Sequence, residues 1–245
     1  MKLKSCLNNI LCGNYCFNND IEWRKRALGN FIYEIDNYLI SEHDNNINIK
    51  LKRIVKFLSI GIQNEINAFC CLHAHTDILD KHTGEIINRS LIPEKISLSE
   101  RRSFNNKVNI KTDPVLTSLW NENRQFKNYF EKIGIINNNP FDGYNKKHRT
   151  NIHSVMYLPL GIVVVMQRNH SINAAIIHNE GYFECVNFID MSRYLDEYSF
   201  DGVQYLKNGF RINDDVLYGG CRPFDYRFGV LFELAKVLDR HNITL

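Results

Sequence analysis

The sequence has no long apolar run, no long basic run and no cysteine pair of CxxC type, and each absence excludes a class of protein. A transmembrane helix needs about 20 consecutive apolar residues, so no membrane span is expected. The net charge of +3 is not concentrated in a basic stripe interleaved with aromatic residues, so nucleic acid is not an expected partner. Without a CxxC pair a structural zinc site is not expected, nor is any other metal or cofactor.

The N-terminus and the cysteines indicate the compartment. MKLKSCLNNILCGNYC begins like a signal peptide, but Asn8 and Asn9 interrupt its apolar part, which is too short for the core of a secretory leader. The seven cysteines are an odd number in a chain large enough to fold without disulfides. We therefore expect free thiols in a reducing compartment.

Length and hydrophobic patterning predict one α+β domain. The 245 residues, 44% of them hydrophobic, suffice for a single large core, and residues 1–50 are a candidate helical extension of it. Helices come first and strands later, without βα alternation or internal repeats, which is typical of α+β proteins. Helices are predicted at 20–40, at 49–62, from Asp113-Pro114 onward and at 225–241, and strands at 153–167.

The segment NHSINAAIIHNEGYFECVNFID, residues 169–190, predicts a β-hairpin. Two apolar runs flank a Gly-containing turn, and a turn centred on Glu180 places His170 opposite Asp190, with Cβ atoms about 5 Å apart. A carboxylate in that position orients an imidazole and makes it a general base. The alternative is that His170 ends a surface strand while Asp190 caps a short helix in MSRYLDEY.

A candidate nucleophile lies in FCCLHAHTDIL, which we interpret as the start of a new helix. Cys70 would benefit there, because the positive end of a helix dipole lowers a thiol pKa. Gln63, upstream, is a candidate donor to an oxyanion. The alternative is that Cys70 and the adjacent Cys71 are small buried side chains of an apolar helix.

Two blocks of the sequence resemble a known family. HSINAAII through VNFID, from His170 to Asp190, and LKRIVKFLSIGIQNEINAFCCLHA, residues 51–74, resemble papain-fold cysteine hydrolases delivered by bacterial type III secretion. The first block matches the segment from the family's His to its Asp. The second matches its helix, polar connector and Cys, and the blocks occur in the family's order.

The resemblance implies a papain-like fold, in which a nucleophile helix packs on an antiparallel sheet that carries His and Asp. It implies that Cys70 is the nucleophile, His170 the base and Asp190 the orienting acid, with Cys71 as an alternative nucleophile. The expected activity is hydrolysis of a peptide bond or a side-chain amide of a host protein, by a protease or deamidase. The setting would be that of a virulence effector secreted into the host cytosol, with a secretion chaperone as a further partner.

Other interpretations stay open. Cys16, in CGNYCFNND, superficially resembles the stretch that opens ovarian-tumour-type deubiquitinases and is a third candidate nucleophile. His73-Ala-His75 resembles the first motif of metal-dependent polymerase-and-histidinol-phosphatase hydrolases. If this segment is helical, however, the two imidazoles point about 200° apart and cannot share an ion. A non-enzymatic protein-binding module with an inactive papain fold is the remaining alternative.

Overall fold

The computed structural model describes residues 21–41, 46–72, 87–94, 102–119, 152–167, 169–212, 223 and 225–245. The helices are α1 (Ile21–Ser41), α2 (Ile47–Leu72), α3 (Asn169–His178), α4 (Ser192–Glu197) and α5 (Tyr226–Arg240). The strands are β1 (Arg102–Asn109), β2 (Val115–Thr117), β3 (Ser154–Leu158), β4 (Ile162–Val165), β5 (Tyr182–Asp190), β6 (Tyr198–Phe200), β7 (Tyr205–Lys207) and β8 (Phe210–Arg211).

The long helices follow their hydrophobic periodicity. Apolar residues three or four positions apart form one face of a helix, and in α2 that face is fully buried. Its members are Leu51, Val55, Leu58, Ile62 and Ile66. The helices predicted at 20–40, 49–62 and 225–241 are confirmed as α1, α2 and α5. The second of them is longer than predicted, because it continues through QNEINA to Leu72.

The main sheet has five strands in the order β1-β5-β3-β4-β2. The pairs β1–β5 and β3–β4 are antiparallel, whereas β3–β5 and β2–β4 are parallel. The sheet is therefore mixed, in contrast to the purely antiparallel sheet that was predicted, while the strands predicted at 153–167 are confirmed as β3 and β4. A second, antiparallel sheet has the order β6-β7-β8.

Both faces of the main sheet are covered. Alternate residues of a strand point to opposite faces: Ile162 and Val164 of β4 pack into a core shared with α1, α2 and α5, and Val163 and Val165 into a second core shared with α3. The result is a helix–sheet–helix arrangement of the α+β class. The N-terminus of α3 therefore lies against strands whose other face is already buried.

Residues 113–117 depart from the predicted helix start. The backbone N–H of Asn109 donates to Asp113 Oδ2 at 2.7 Å, which closes a turn after β1. The following Val115, Leu116 and Thr117 then pair with β4 as strand β2. A Pro after an acidic residue favours a helix start, but the burial of three strand-forming side chains against β4 outweighs that local preference.

Helix α2 runs alongside β2 in the same direction. Lys56 Nζ donates to the carbonyl oxygens of Ile110 and Asp113, both at 2.8 Å, just before β2 begins. Two turns later Gln63 contacts Thr117, where β2 ends. Burial lowers the pKa of Lys56 to about 8, while the Asp113 carboxylate opposes that shift. Because α2 ends at Leu72, its last turns extend about 13 Å beyond the end of β2.

Two helical glycines provide a test of this packing. A Cβ added to Gly229 of α5 would overlap the ring of Phe200 in β6, whereas one added to Gly29 of α1 would meet no atom within 4 Å. We expect Gly229→Ala to lower the free energy of unfolding by about 1–3 kcal/mol, and the matched Gly29→Ala to raise it by roughly 0.5–1 kcal/mol. Urea unfolding measures both, and equal effects of the two substitutions would contradict the packing described.

Candidate functional site

The predicted hairpin at 169–190 is wrong, because its first half is the helix α3. The helix ends in a Schellman motif: Glu180 N–H donates to Ala175 O and Asn179 N–H to Ile176 O, both at 3.1 Å. Asn179 has the positive φ of 55° that this cap requires. The Asn-Glu-Gly sequence therefore ends a helix and does not join two strands.

His170 and Asp190 consequently do not lie side by side. Asp190 pairs with Leu158 at one end of β3, whereas the chain enters α3 beyond Val165, which pairs with Ser154 at the other end. Four residue steps along β3 separate these ends by about 13 Å. Asp190 is exposed, and its Oδ1 accepts hydrogen bonds from the Ser192 N–H at 3.0 Å and hydroxyl at 2.7 Å. The carboxylate thus stabilises the turn into α4, although His170 does not end a surface strand, as the alternative interpretation also required, but is buried in α3.

Gln63 is buried and holds the edge of the sheet. Its Oε1 accepts from the Thr117 N–H at 2.7 Å, and its Nε2 donates to Thr117 O at 3.4 Å and to Asn67 Oδ1 at 3.0 Å. The side-chain amide pairs with the backbone of β2 as a neighbouring strand would. Because its donor and acceptor are both engaged in this way, Gln63 is not placed as the predicted oxyanion donor.

The predicted nucleophiles are not at a helix start. Cys70 and Cys71 belong to the last turn of α2, and a helix C-terminus carries partial negative charge, the opposite of what a thiolate needs. Cys16 lies outside the described residues. Cys185 is buried in β5, where burial raises the pKa of its thiol, so it is not a candidate nucleophile.

A cluster of buried polar side chains lies where α3 begins and β2 ends. Asn169 Nδ2 donates to Ser118 Oγ at 3.0 Å and to Met166 O at 3.4 Å, which joins the helix to the strand end. Each member of the cluster is less than 9% exposed; the members are Thr117, Ser118, Asn169, His170 and Asn173. Of these residues, sequence analysis had identified only His170. The available signal was an Asn-His-Ser sequence that begins four positions after the last of a run of valines.

Two atoms of this cluster have unmet hydrogen-bonding capacity. Within the described residues, neither Asn169 Oδ1 nor Thr117 Oγ1 has a hydrogen-bond partner, although Asn169 is 5% and Thr117 0% exposed. Leaving a buried polar atom unpaired costs about 1–3 kcal/mol. Both atoms lie near the N-terminus of α3, and a helix N-terminus carries partial positive charge and N–H donors.

Two features are absent from the described part of the chain: a metal-ligand cluster and a membrane-spanning helix. There, no group of three His, Cys, Asp or Glu side chains is arranged to hold a metal ion. His73 and His75, the proposed metal ligands, lie outside the described residues. Across the same residues, no helix is both long enough and apolar enough to cross a membrane.

The Gln63 contact can be tested by substitution. Gln63→Met keeps the side-chain length but leaves the buried N–H and C=O of Thr117 without their partner. We expect it to lower the free energy of unfolding by about 1–3 kcal/mol and to speed hydrogen exchange of the Thr117 amide. Asn67→Ala, which removes only the outer acceptor of the Gln63 amide, is the control. Urea unfolding and exchange mass spectrometry measure the two effects, and a neutral Gln63→Met would contradict this role.

Comparison with known proteins gives a family but no activity. No curated protein and no solved structure shows significant similarity to the chain. A family model, described as a family of unknown function, matches residues 18–245. The match covers nearly the whole chain, which therefore belongs to the family of unknown function DUF6710.

Proposed function

We propose that this chain binds the anionic group of a ligand at the N-terminus of α3. The observation that carries the proposal is the pair of buried atoms, Asn169 Oδ1 and Thr117 Oγ1, that lack hydrogen-bond partners in the described part of the chain. A protein that places such atoms in its interior loses stability unless something else satisfies them. A bound ligand that reaches both atoms would satisfy them.

The electrostatics of the helix favour a negative ligand. α3 has ten residues, enough for its aligned peptide dipoles to place partial positive charge at its first turn. The first turn of a helix also directs backbone N–H groups away from the helix, where they bind oxyanions. The low exposure of Asn169 and Ser118 keeps these interactions out of bulk water, where they would be weaker.

His170 is the residue of this cluster whose side chain can take part in acid–base chemistry. It is the second residue of α3 and is 7% exposed. An imidazole at a helix N-terminus can donate a hydrogen bond to an anion or exchange a proton with a bound group. The same arrangement thus serves recognition and, in a reacting complex, proton transfer.

Binding is tested with inorganic phosphate and the substitution Thr117→Val. We expect phosphate to raise the Tm of the wild type, with a stabilisation of about 2.7 kcal/mol at 100 times Kd. Thr117→Val removes Oγ1 but keeps the backbone bonds to Gln63. We expect it to weaken binding about tenfold while leaving the unliganded protein equally or more stable, because it deletes an unpaired buried hydroxyl. Titration calorimetry and thermal unfolding measure the two effects.

A matched control is Ser192→Ala, which removes a hydroxyl at the opposite end of the sheet. It should leave phosphate affinity unchanged. No rise in Tm with phosphate, or equal losses of affinity in the two variants, would contradict the proposal.

A second candidate is thiol hydrolysis, and the direction of α2 favours it. Gln63 and Cys70 both belong to α2, with Cys70 in its last turn. Gln63 contacts Thr117 at the end of β2, and Ser118 contacts Asn169, which precedes His170. The last turn of α2, with Cys70, therefore continues past the end of the sheet at which His170 lies.

In this candidate His170 takes the proton from the Cys70 thiol, and the thiolate attacks an amide carbonyl. The amine or ammonia leaves, and water then releases the acyl group. This candidate function is the one that implies a papain-like fold and a host protein as substrate. Asp190 lies at the other end of β3 and would not orient the base. Asn173 lies one turn after His170 on α3 and is the nearer candidate for that role.

Thiol labelling tests this second candidate. We expect iodoacetamide to modify Cys70 at least about tenfold faster than Cys71 in the native protein, and His170→Ala to remove the difference, because the imidazole generates the thiolate. Peptide mass spectrometry of the labelled protein gives both rates. Equal rates for the two adjacent thiols, or no effect of His170→Ala, would contradict it.

A further inference from the structure

We infer that the anionic ligand carries a hydrogen-bond donor of its own next to the charge, as a protonated phosphoryl group or a hydroxyl-bearing phosphate ester does. The inference rests on the proposed anion site at the N-terminus of α3 and specifies its ligand. It follows from the orientation of one side chain, Asn169.

The orientation of the Asn169 amide is fixed by its neighbours. Nδ2 donates to Met166 O at 3.4 Å and to Ser118 Oγ at 3.0 Å. A carbonyl oxygen only accepts hydrogen bonds, so the nitrogen and not the oxygen must face Met166. The remaining atom, Oδ1, is an acceptor that is buried and has no partner within the described residues.

A fully deprotonated anion satisfies only part of this site. Its oxygens accept from the donors at the helix N-terminus, but they offer nothing to Asn169 Oδ1, which also only accepts. An acceptor facing an acceptor in a buried site is unfavourable, since both groups stay unpaired. A ligand O–H or N–H placed beside the anion pairs with Oδ1 instead.

Thr117 does not change this requirement. Its hydroxyl can donate or accept, so it pairs with either kind of ligand and does not discriminate between them. Asn169 is therefore the residue that sets the preference, and its Nδ2 is held by both Ser118 Oγ and Met166 O.

Four ligands, compared at pH 8, distinguish a donor on the anion itself from a donor on a neighbouring carbon and from no donor. A phosphate ester is then a dianion without a proton, because its second pKa is about 6, whereas inorganic phosphate still keeps one proton. Sulfate and propyl phosphate carry no donor. Inorganic phosphate carries a donor on the anion itself, and glycerol phosphate carries one on a neighbouring carbon. Propyl and glycerol phosphate have the same number of carbons, so their difference reports the hydroxyls.

The experiment is titration calorimetry of the full chain with each ligand. We expect phosphate to bind about tenfold more tightly than sulfate, or glycerol phosphate about tenfold more tightly than propyl phosphate. The first preference identifies a proton on the anion as the donor, and the second identifies a neighbouring hydroxyl. Equal affinities within both pairs, or tighter binding of the donor-free ligands, would overturn the inference while leaving the anion site in place. No binding of any ligand would overturn the anion site as well.

Two variants test whether Asn169 causes the preference for a ligand that carries a donor. Asn169→Ala removes Oδ1, and we expect the affinity ratio within the discriminating pair to fall to about one. Ser118→Ala removes the partner of Nδ2 but keeps Oδ1, and we expect it to keep most of the ratio. An unchanged ratio in Asn169→Ala would show that another group recognises the donor and would overturn the assignment. The wild-type ratios decide the inference by themselves if a variant does not fold.

Discussion

The arrangement of the site depends on the contact between one buried side-chain amide and one strand edge. Gln63 bonds both the N–H and the C=O of Thr117, and so closes the outer edge of β2, whose other edge pairs with β4. An exposed strand edge would need water or another chain as its partner. Because α2 provides that partner, Thr117 and Ser118 are fixed in place, and Ser118 in turn fixes Asn169 at the start of α3.

The polar cluster is unusual because its surroundings are apolar on both sides of the sheet. β4 is buried by α1, α2 and α5 on one face and by α3 on the other. Elsewhere in the described residues, the buried Asp225 caps α5 and pairs with Arg227, whereas the buried Nε2 of His178 has no hydrogen-bond partner. Asn169 and Thr117 have no such role for Oδ1 and Oγ1, and a protein retains groups that reduce stability mainly where function requires them.

Much of the fold could be predicted because burial imposes a clear period. The α2 face and the run of valines in β4 are clear examples, since a helix and a doubly buried strand leave different patterns. NHSINAAIIH was misread because a short apolar run fits either period, and the turn after it fits either a hairpin or a helix cap. Asp113-Pro114 was misread because pairing with β4, about 50 residues away, outweighs the local preference.

The site was less predictable than the fold for a related reason. Its members Ser118 and Asn169 are 51 positions apart in sequence, and neither belongs to a recognisable motif. His170 was found because its residue type suggests chemistry, but its predicted partner depended on the hairpin register. Because residues 169–178 form a helix and not a strand, Asp190 lies at the other end of β3. The polar end of β2, and not Asp190, lies near the start of α3, where His170 is.

In the proposed complex, a ligand contacts the unpaired Asn169 Oδ1 at the start of α3 and Thr117 Oγ1 at the end of β2. The most direct measurement is an NMR titration of the isotope-labelled protein with inorganic phosphate, which follows the Thr117 amide and the Asn169 side-chain NH₂ signals. We expect saturable shifts that are largest at these two residues and at His170. Shifts that are absent, or that occur only at exposed lysines far from α3, would contradict the account.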